Sequence, residues 1–243
     1  MLDRARLGIP VIHESDHDAV LLKPAGMASE LTRDPRNESL LSRLRLSVPA
    51  GVAPRLVHRL DRVTRGFMVV TFTKEAAAFH GEQIREGLWL KYYLARIPTP
   101  RPGTPAATRL IGKHKAYIAE DSDRARLVRA GGKPSFLEVL AAHPAPNHPN
   151  QSHALIRLDT GRLHQIRVML AGLGLPLIGD TLYAGPGPGP LYLDHAALWR
   201  LDYTTREPAL AFLKEDPDRE PLHPALTSAL LNITKAAPTP PSH

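Results

Sequence analysis

The chain has 243 residues, 43% of them hydrophobic and 23% charged, a balance that supports a globular core and excludes wholesale disorder. It has no cysteine, which excludes disulfide frameworks, thiolate zinc sites, iron–sulfur clusters and cysteine nucleophiles and suits a cytoplasmic location. With 31 Lys and Arg against 24 Asp and Glu the net charge is +7, so the surface attracts polyanions, and nucleic acid is the first partner to consider.

In chain order, Val11-Ile12-His13 and Ala19 to Leu22 predict two short strands, closed by a turn at Lys23-Pro24-Ala25-Gly26. Leucines at 40, 41 and 44 predict a short amphipathic helix over Ser39 to Leu46. Leu56 to Asp61 reads as a strand, and Gly66 as a break before the apolar run Phe67 to Phe72, a strand buried on both faces. Thr73 can cap a helix from Lys74 to Glu86, with Ala76, Phe79 and Gln83 on one side and Gly87 as its stop. A strand over Leu88 to Ile97 and a proline-rich loop over Pro98 to Pro105 follow. The stretch from Arg109 to Lys133 carries seven cations against three acids and is expected to form a pair of edge strands.

Strands at Phe136 to Leu140 and Ala154 to Leu158 flank a loop that holds His143, His148 and His153. Five-residue spacing in a proline-rich loop suits neither helix-face nor strand-face ligation, so no metal site is expected. After Thr160-Gly161 a helix runs to about Leu173, with Ile166, Met169, Leu170 and Leu173 on its apolar stripe. Tyr192 to Tyr203 is expected to be the last strand-rich piece, and residues 235–243 a disordered tail. No stretch approaches the length of a membrane span, and acids and arginine interrupt the first 22 residues, so neither a signal peptide nor an anchor is expected.

Phosphate-loop, dinucleotide-binding, zinc-protease and serine-hydrolase motifs are all missing from the sequence. Two other stretches carry chemistry. If Leu56 to Asp61 is extended, Leu56, His58 and Leu60 share one face, Val57, Arg59 and Asp61 share the other, and Asp61 stands at the strand's end. A carboxylate held there is a candidate nucleophile toward a sugar carbon. It also suits a turn cap in an ordinary salt bridge, which spacing by itself favours. In the second stretch, Arg167 lies about 100° from Ile166 on a helical wheel and flanks the apolar stripe, where it can reach into a cleft. A buried carboxylate needs such a forked cation to stay charged. Arg162 equally suits solvent or phosphate, and His164 and Gln165 suit backbone groups at the helix start.

Together these stretches resemble the RluA family of RNA pseudouridine synthases. His58-Arg59-Leu60-Asp61-x-x-Thr64-x-Gly66 is similar to that family's active-site motif. Gly161-Arg162-x-His164-Gln165-Ile166-Arg167, then Gly174-x-Pro176-x-x-Gly179-Asp180-x-x-Tyr183, is similar to its second signature. Lys23-Pro24-Ala25-Gly26, Lys91-Tyr92-Tyr93-Leu94-Ala95 and Leu193-Asp194-His195-Ala196 fall in the family's order, and the resemblance spans roughly residues 10 to 205.

The resemblance implies an α+β fold: a large mixed, mostly antiparallel sheet in two lobes with a central active-site cleft. It implies one catalytic domain over residues 1–234, with too few residues before Lys23 for the small S4 domain of many relatives. The implied reaction isomerises uridine to pseudouridine in ribosomal or transfer RNA, with no cofactor and no metal. Asp61 is then the catalytic aspartate, Tyr93 the ring that packs on the uracil and Arg167 the ion-pair partner of Asp61. Arg59 fills the space of the extruded base, and Arg62, Arg162, His58, His164 and Gln165 bind RNA. These roles suit the chemistry, because a nucleotide must leave its stack before its glycosidic bond can be rearranged. A monomer with no membrane partner is expected. Arg65 stands where the family usually has a small residue, and Met169 where it has histidine. Arg65 is the feature friendliest to a rival reading, a catalytically silent RNA-binding protein or RNA chaperone; a hydrolase built on His164 with Asp159 or Asp180 is a third. On either RNA-binding reading, log affinity for RNA is expected to fall linearly with log salt, by about 0.7 to 0.9 per phosphate neutralised. Anisotropy titrations at several salt concentrations measure the slope, and a flat line contradicts the electrostatic reading.

Overall fold

The structure, a computed structural model, describes residues 2–32, 34, 37–187 and 189–235, so most of the expected tail lies outside the described residues. The chain divides into two compact units, Met1–Trp89 with His195–Phe212 and Leu90–Asp194 with Leu213–His243.

The first unit opens with a one-turn helix, α1 (Arg4–Leu7), capped by the Asp3 carboxylate and ended by Gly8 in the left-handed region. Strands β1 (Val11–Glu14) and β2 (Asp18–Lys23) follow, and all six residues of β2 are buried. Helix α2 (Leu40–Ser47) starts from a reciprocal cap in which the Ser39 hydroxyl accepts from the Ser42 N–H and the Ser42 hydroxyl accepts from the Ser39 N–H. Then come β3 (Arg55–Leu56), β4 (Arg65–Thr71) and α3 (Lys74–Arg85), the last capped by Thr73 as expected. Strand β4 pairs antiparallel with β2, setting Gly66 opposite Lys23, and also with the short β3.

Two expectations fail here. The strand expected over Leu56 to Asp61 ends at Leu56, and Gly66 lies inside β4 instead of breaking the chain. Side chains take the place of a strand partner. The imidazole Nε2 of His58 accepts the Val69 N–H at 2.9 Å. The Ser29 hydroxyl accepts from the Leu60 N–H at 3.1 Å and donates to the Leu60 carbonyl at 2.7 Å. With these groups satisfied, the backbone is free to turn, and the Thr64 N–H closes onto the Asp61 carbonyl at 3.0 Å.

In the second unit, β5 (Leu90–Pro98), the short α4 (Pro105–Arg109), β6 (Gly112–Asp121), β7 (Arg124–Val128), β8 (Lys133–Pro144) and β9 (Gln151–Leu158) precede α5 (Gln165–Gly172). The strand order is β5-β9-β8-β6-β7, with every pairing antiparallel. The expected edge pair is β6 with β7. Strand β8 runs further than expected because a bulge between Val139 and Ala141 carries it on to Pro144. In α5 all six residues from Gln165 to Leu170 are buried, so Arg167, which flanks the apolar stripe, lies in the interior.

The chain then forms β10 (Leu193–Leu201), which belongs to the first unit from His195 onward, and β11 (Pro208–Phe212), which pairs antiparallel with β10. The first unit's order is thus β1-β2-β4-β10. Tyr203 is therefore not the end of the strands. Helix α6 (Pro224–Ile233), also unexpected, buries Leu226 and Leu230 and packs on β8 and β9. The α+β class with antiparallel pairing is as the resemblance implied.

Gly66 has φ +131°, and a Cβ there would lie 2.5 Å from the carbonyl oxygen of His195. Gly66→Ala must therefore strain its own backbone and push β10 away. It is expected to cost about 3 kcal/mol in urea unfolding, and a variant within about 0.5 kcal/mol of the native protein contradicts this account of the contact.

Candidate active site

Asp61 stands on the turn between β3 and β4, which the Ser29 and His58 contacts hold. Arg62 joins this turn to the one that follows β2: its Nε donates to the Gly26 carbonyl at 2.8 Å, and the Gly26 N–H donates to the Arg62 carbonyl at 2.7 Å. Lys23 ends β2 with no exposed surface. Its ammonium donates to the carbonyls of Pro24 at 2.9 Å and Met27 at 2.8 Å. Burial pulls its pKa down to about 8, and the charge of Asp61 works against that fall. The two motifs of the first unit thus place a buried cation within electrostatic reach of the candidate carboxylate. Arg59 is exposed and donates to Glu30 at 2.8 Å. The His58 ring meets Trp89 edge-on, with centroids 5.1 Å apart.

The second unit contributes the other group of candidates. Tyr93 is buried in β5, opposite Ile156 of β9. Arg167 is 6% exposed, and its Nε and a terminal nitrogen donate to the two carboxylate oxygens of Asp180, each at 2.8 Å. Asp180 itself is 1% exposed and precedes a 3-10 turn, Thr181–Tyr183. The Arg167 guanidinium also lies over the Tyr183 ring, 5.2 Å from its centroid. The Tyr183 hydroxyl donates to the Ala125 carbonyl and accepts from the Ala125 N–H, both at 3.0 Å. Since that proton is committed, the 3.0 Å contact with Nδ1 of His164 is made by a protonated Nδ1 donating to the hydroxyl. His164 precedes α5 at φ 49°, the left-handed region.

Gln165 is buried, and its amide serves the loop. Oε1 accepts from the Thr160 hydroxyl at 2.9 Å and the Arg162 N–H at 3.0 Å, while Nε2 donates to the Phe136 carbonyl at 2.9 Å. Arg162 is thereby placed by its backbone, its side chain half-buried. Met169, where the resemblance leads one to expect histidine, is buried in α5.

In the sequence Lys23 stands only as a member of a motif with no task of its own, and Asp180 has one only in the hydrolase reading, as a partner of His164. The available signal was each charge's setting: a lysine ending an apolar strand, and a Gly-Asp pair following the helix that bears Arg167. Of the loop histidines, His143 lies in β8 and His153 in β9. His153 and His148 both approach Glu220, with Nε2 to Oε2 distances of 2.7 and 3.7 Å, and Arg96 also pairs with it. Among the described residues no group of three or more His, Cys, Asp or Glu is placed to hold a metal ion, and no helix is long and apolar enough to cross a membrane.

Residues 17–172 match the family described as RNA pseudouridylate synthase. The chain is 29% identical over 209 residues to the dual-specificity RNA pseudouridine synthase RluA of Escherichia coli K12, covering 83% of this chain and 90% of that relative. It is 30% identical over 249 residues to the ribosomal large subunit pseudouridine synthase D of Nitrosomonas europaea, covering 96% of this chain and 68% of that one. Among solved structures, human RNA pseudouridylate synthase domain containing 1 has the same fold, with a TM-score of 0.68 at 23% identity over 92% of this chain and 94% of that one.

Lys23 also sets a pH dependence. Its ordinary pKa of 10.5 falls to about 8 in the folded chain, so between those values the unfolded chain binds the proton more tightly. Lys23 therefore makes stability rise as pH increases from about 8 towards 10.5. Lys23→Met is expected to remove that rise, measured by urea unfolding of native and variant proteins across this window. An identical pH profile in the two proteins contradicts the burial argument.

Proposed function

Because the chain belongs to the RNA pseudouridylate synthase family and is an isomerase that converts uridine to pseudouridine in RNA, we propose that Asp61 is its catalytic carboxylate and that Tyr93 and Arg167 complete the site. The observation that carries this reading is the turn bearing Asp61: it is held by side chains and stands beside the buried ammonium of Lys23.

The reaction breaks the bond from uracil N1 to the ribose and forms one from uracil C5 to the same sugar carbon. N1 gains a proton, and the hydrogen on C5 passes to solvent. Attack by the carboxylate on the sugar, its addition to the base and formation of a glycal all require Asp61 charged. Tyr93 packs on the uracil. Arg167, whose orientation the Asp180 fork fixes, pairs with Asp61 during turnover. Arg59 enters the space left by the extruded base, repaying part of an unstacking cost of a few kcal/mol, and its exposed pair with Glu30 is weak enough to be exchanged. Arg62 and Arg162 meet the RNA backbone. His58, His164 and Gln165 serve RNA binding by shaping the loops that present these arginines, an assignment supported by the protein groups their side chains already engage.

The substrate is ribosomal or transfer RNA, the former supported by the Nitrosomonas relative, a ribosomal large subunit pseudouridine synthase. The enzyme acts as a monomer in the cytoplasm. The test is tritium release from ribosomal and transfer RNA labelled at uridine C5 and taken from cells lacking the gene. Native protein is expected to release tritium, Asp61→Ala and Asp61→Asn none, and Arg167→Lys to act about 100-fold more slowly. Full activity in Asp61→Asn overturns the assignment of the carboxylate.

A further inference from the structure

The second unit has a charged aromatic face outside the motifs. On β6, β7 and β8 the period-two alternation turns Ile118, Ala125 and Leu137 inward, where each is at most 1% exposed. The opposite face presents Lys113, Lys115 and Tyr117 of β6 and Arg126 of β7, all exposed, with Phe136 of β8 directly opposite Lys115. The Lys115 ammonium lies 5.5 Å from the centre of the Tyr117 ring and 5.6 Å from that of Phe136. Solubility and protection of the sheet edge account for lysine and arginine here. They do not account for a 39% exposed tyrosine and a second ring flanking one cation.

The nearby acids are already engaged. Glu138, opposite Lys113, pairs with Arg157 at 3.0 Å, and Asp121, which ends β6 on the same alternation, accepts from the Ser122 N–H at 3.0 Å. The face is left with cations and rings, the combination that holds a nucleic-acid strand by phosphate contact and base stacking. It is also joined to the candidate site. The Phe136 backbone accepts from the Gln165 amide and donates to the Thr160 hydroxyl, so the strand carrying this ring is bonded to the loop that leads into α5 and Arg167.

We propose that the outer face of β6, β7 and β8 is a docking platform for a single-stranded stretch of the RNA substrate away from the target nucleotide, with Lys113, Lys115 and Arg126 on phosphates and Tyr117 stacking on a base. This rests on the reading of the chain as an enzyme acting on RNA. The face reads charge and ring area, not sequence, so it adds affinity to any RNA whose target uridine adjoins an unpaired segment.

The experiment uses the full chain and a fluorescein-labelled oligouridylate of about twelve nucleotides. Lys115→Ala combined with Tyr117→Ala is expected to weaken binding about tenfold and to reduce the slope of log affinity against log salt by about 0.7. Lys115→Arg retains the cation and is expected to keep the native slope. Unchanged affinity and slope in the double variant overturn the proposal, and so does an unchanged affinity accompanied by loss of self-association, which makes the face a contact between copies. If the double variant unfolds at a lower temperature than the native protein, Lys113→Ala alone must lower the slope, and its failure to do so overturns the proposal. Tritium release separates this from the enzyme reading. A native protein that releases tritium while the double variant binds unchanged loses only the platform; one that releases none while the variant binds more weakly loses only the enzyme.

Discussion

A guanidinium in the interior of a helix persists only if a carboxylate meets it there, and the pairing of Arg167 with Asp180 is the constraint on which the second unit's candidate site rests. Both side chains are almost wholly buried, and two parallel hydrogen bonds fix the plane of the cation. Taking these charges out of water costs several kcal/mol per ion, an expense that only good geometry offsets. The pair consequently dictates its surroundings. Asp180 must stand where the 3-10 turn begins, which brings the Tyr183 ring over the guanidinium and its hydroxyl to Ala125. From there the same tyrosine reaches His164, and the start of α5 is set. One ion pair thus fixes helix, turn and edge strand together.

The first unit handles its buried charge differently. Lys23 gives hydrogen bonds to two carbonyls, which are dipoles and not full charges, and its proton is accordingly held less firmly than an exposed lysine's. Arg167 cannot lose its charge at any pH at which the fold survives, whereas Lys23 can. The candidate residues therefore combine one permanent cation, suited to fixing geometry, with one that titrates, suited to balancing a carboxylate that needs its charge. Arg59 is a third kind: exposed and tied to Glu30 by a contact that solvent screens. Lys23 and Arg167 are buried while Arg59 faces solvent, and the proposed roles follow from that division and from the difference in charge chemistry between the two buried cations.

The family was legible because its two motifs are long runs of particular residues, and it is that resemblance, not spacing, that proposed Tyr93 and set Asp61 above an ordinary turn cap. Local periodicity did less well wherever side chains replaced backbone partners. The alternating stretch from Leu56 to Asp61 looks like a strand, but Ser29, far away in sequence, and the ring of His58 satisfy its surroundings, and the backbone turns. The helical wheel put Arg167 at the border of an apolar stripe; in α5 every residue from Gln165 to Leu170 is buried, and Asp180 supplies what solvent would have. Strand β11 and helix α6 went unseen for a plainer reason. The first is five residues long and begins with proline, and the apolar face of the second is two leucines four residues apart. Such weak patterns gain meaning only from the surfaces they cover.

At β7, the last strand in its sheet's order, the Tyr183 hydroxyl takes both the N–H and the carbonyl of Ala125. A single phenol oxygen thus imitates the peptide group of an absent neighbouring strand. An open strand edge is an invitation to polymerise, since any extended chain can add to it. Here the side chain that stacks on the Arg167 guanidinium also closes that invitation near the start of β7, so bracing a buried cation and guarding a strand edge fall on one residue.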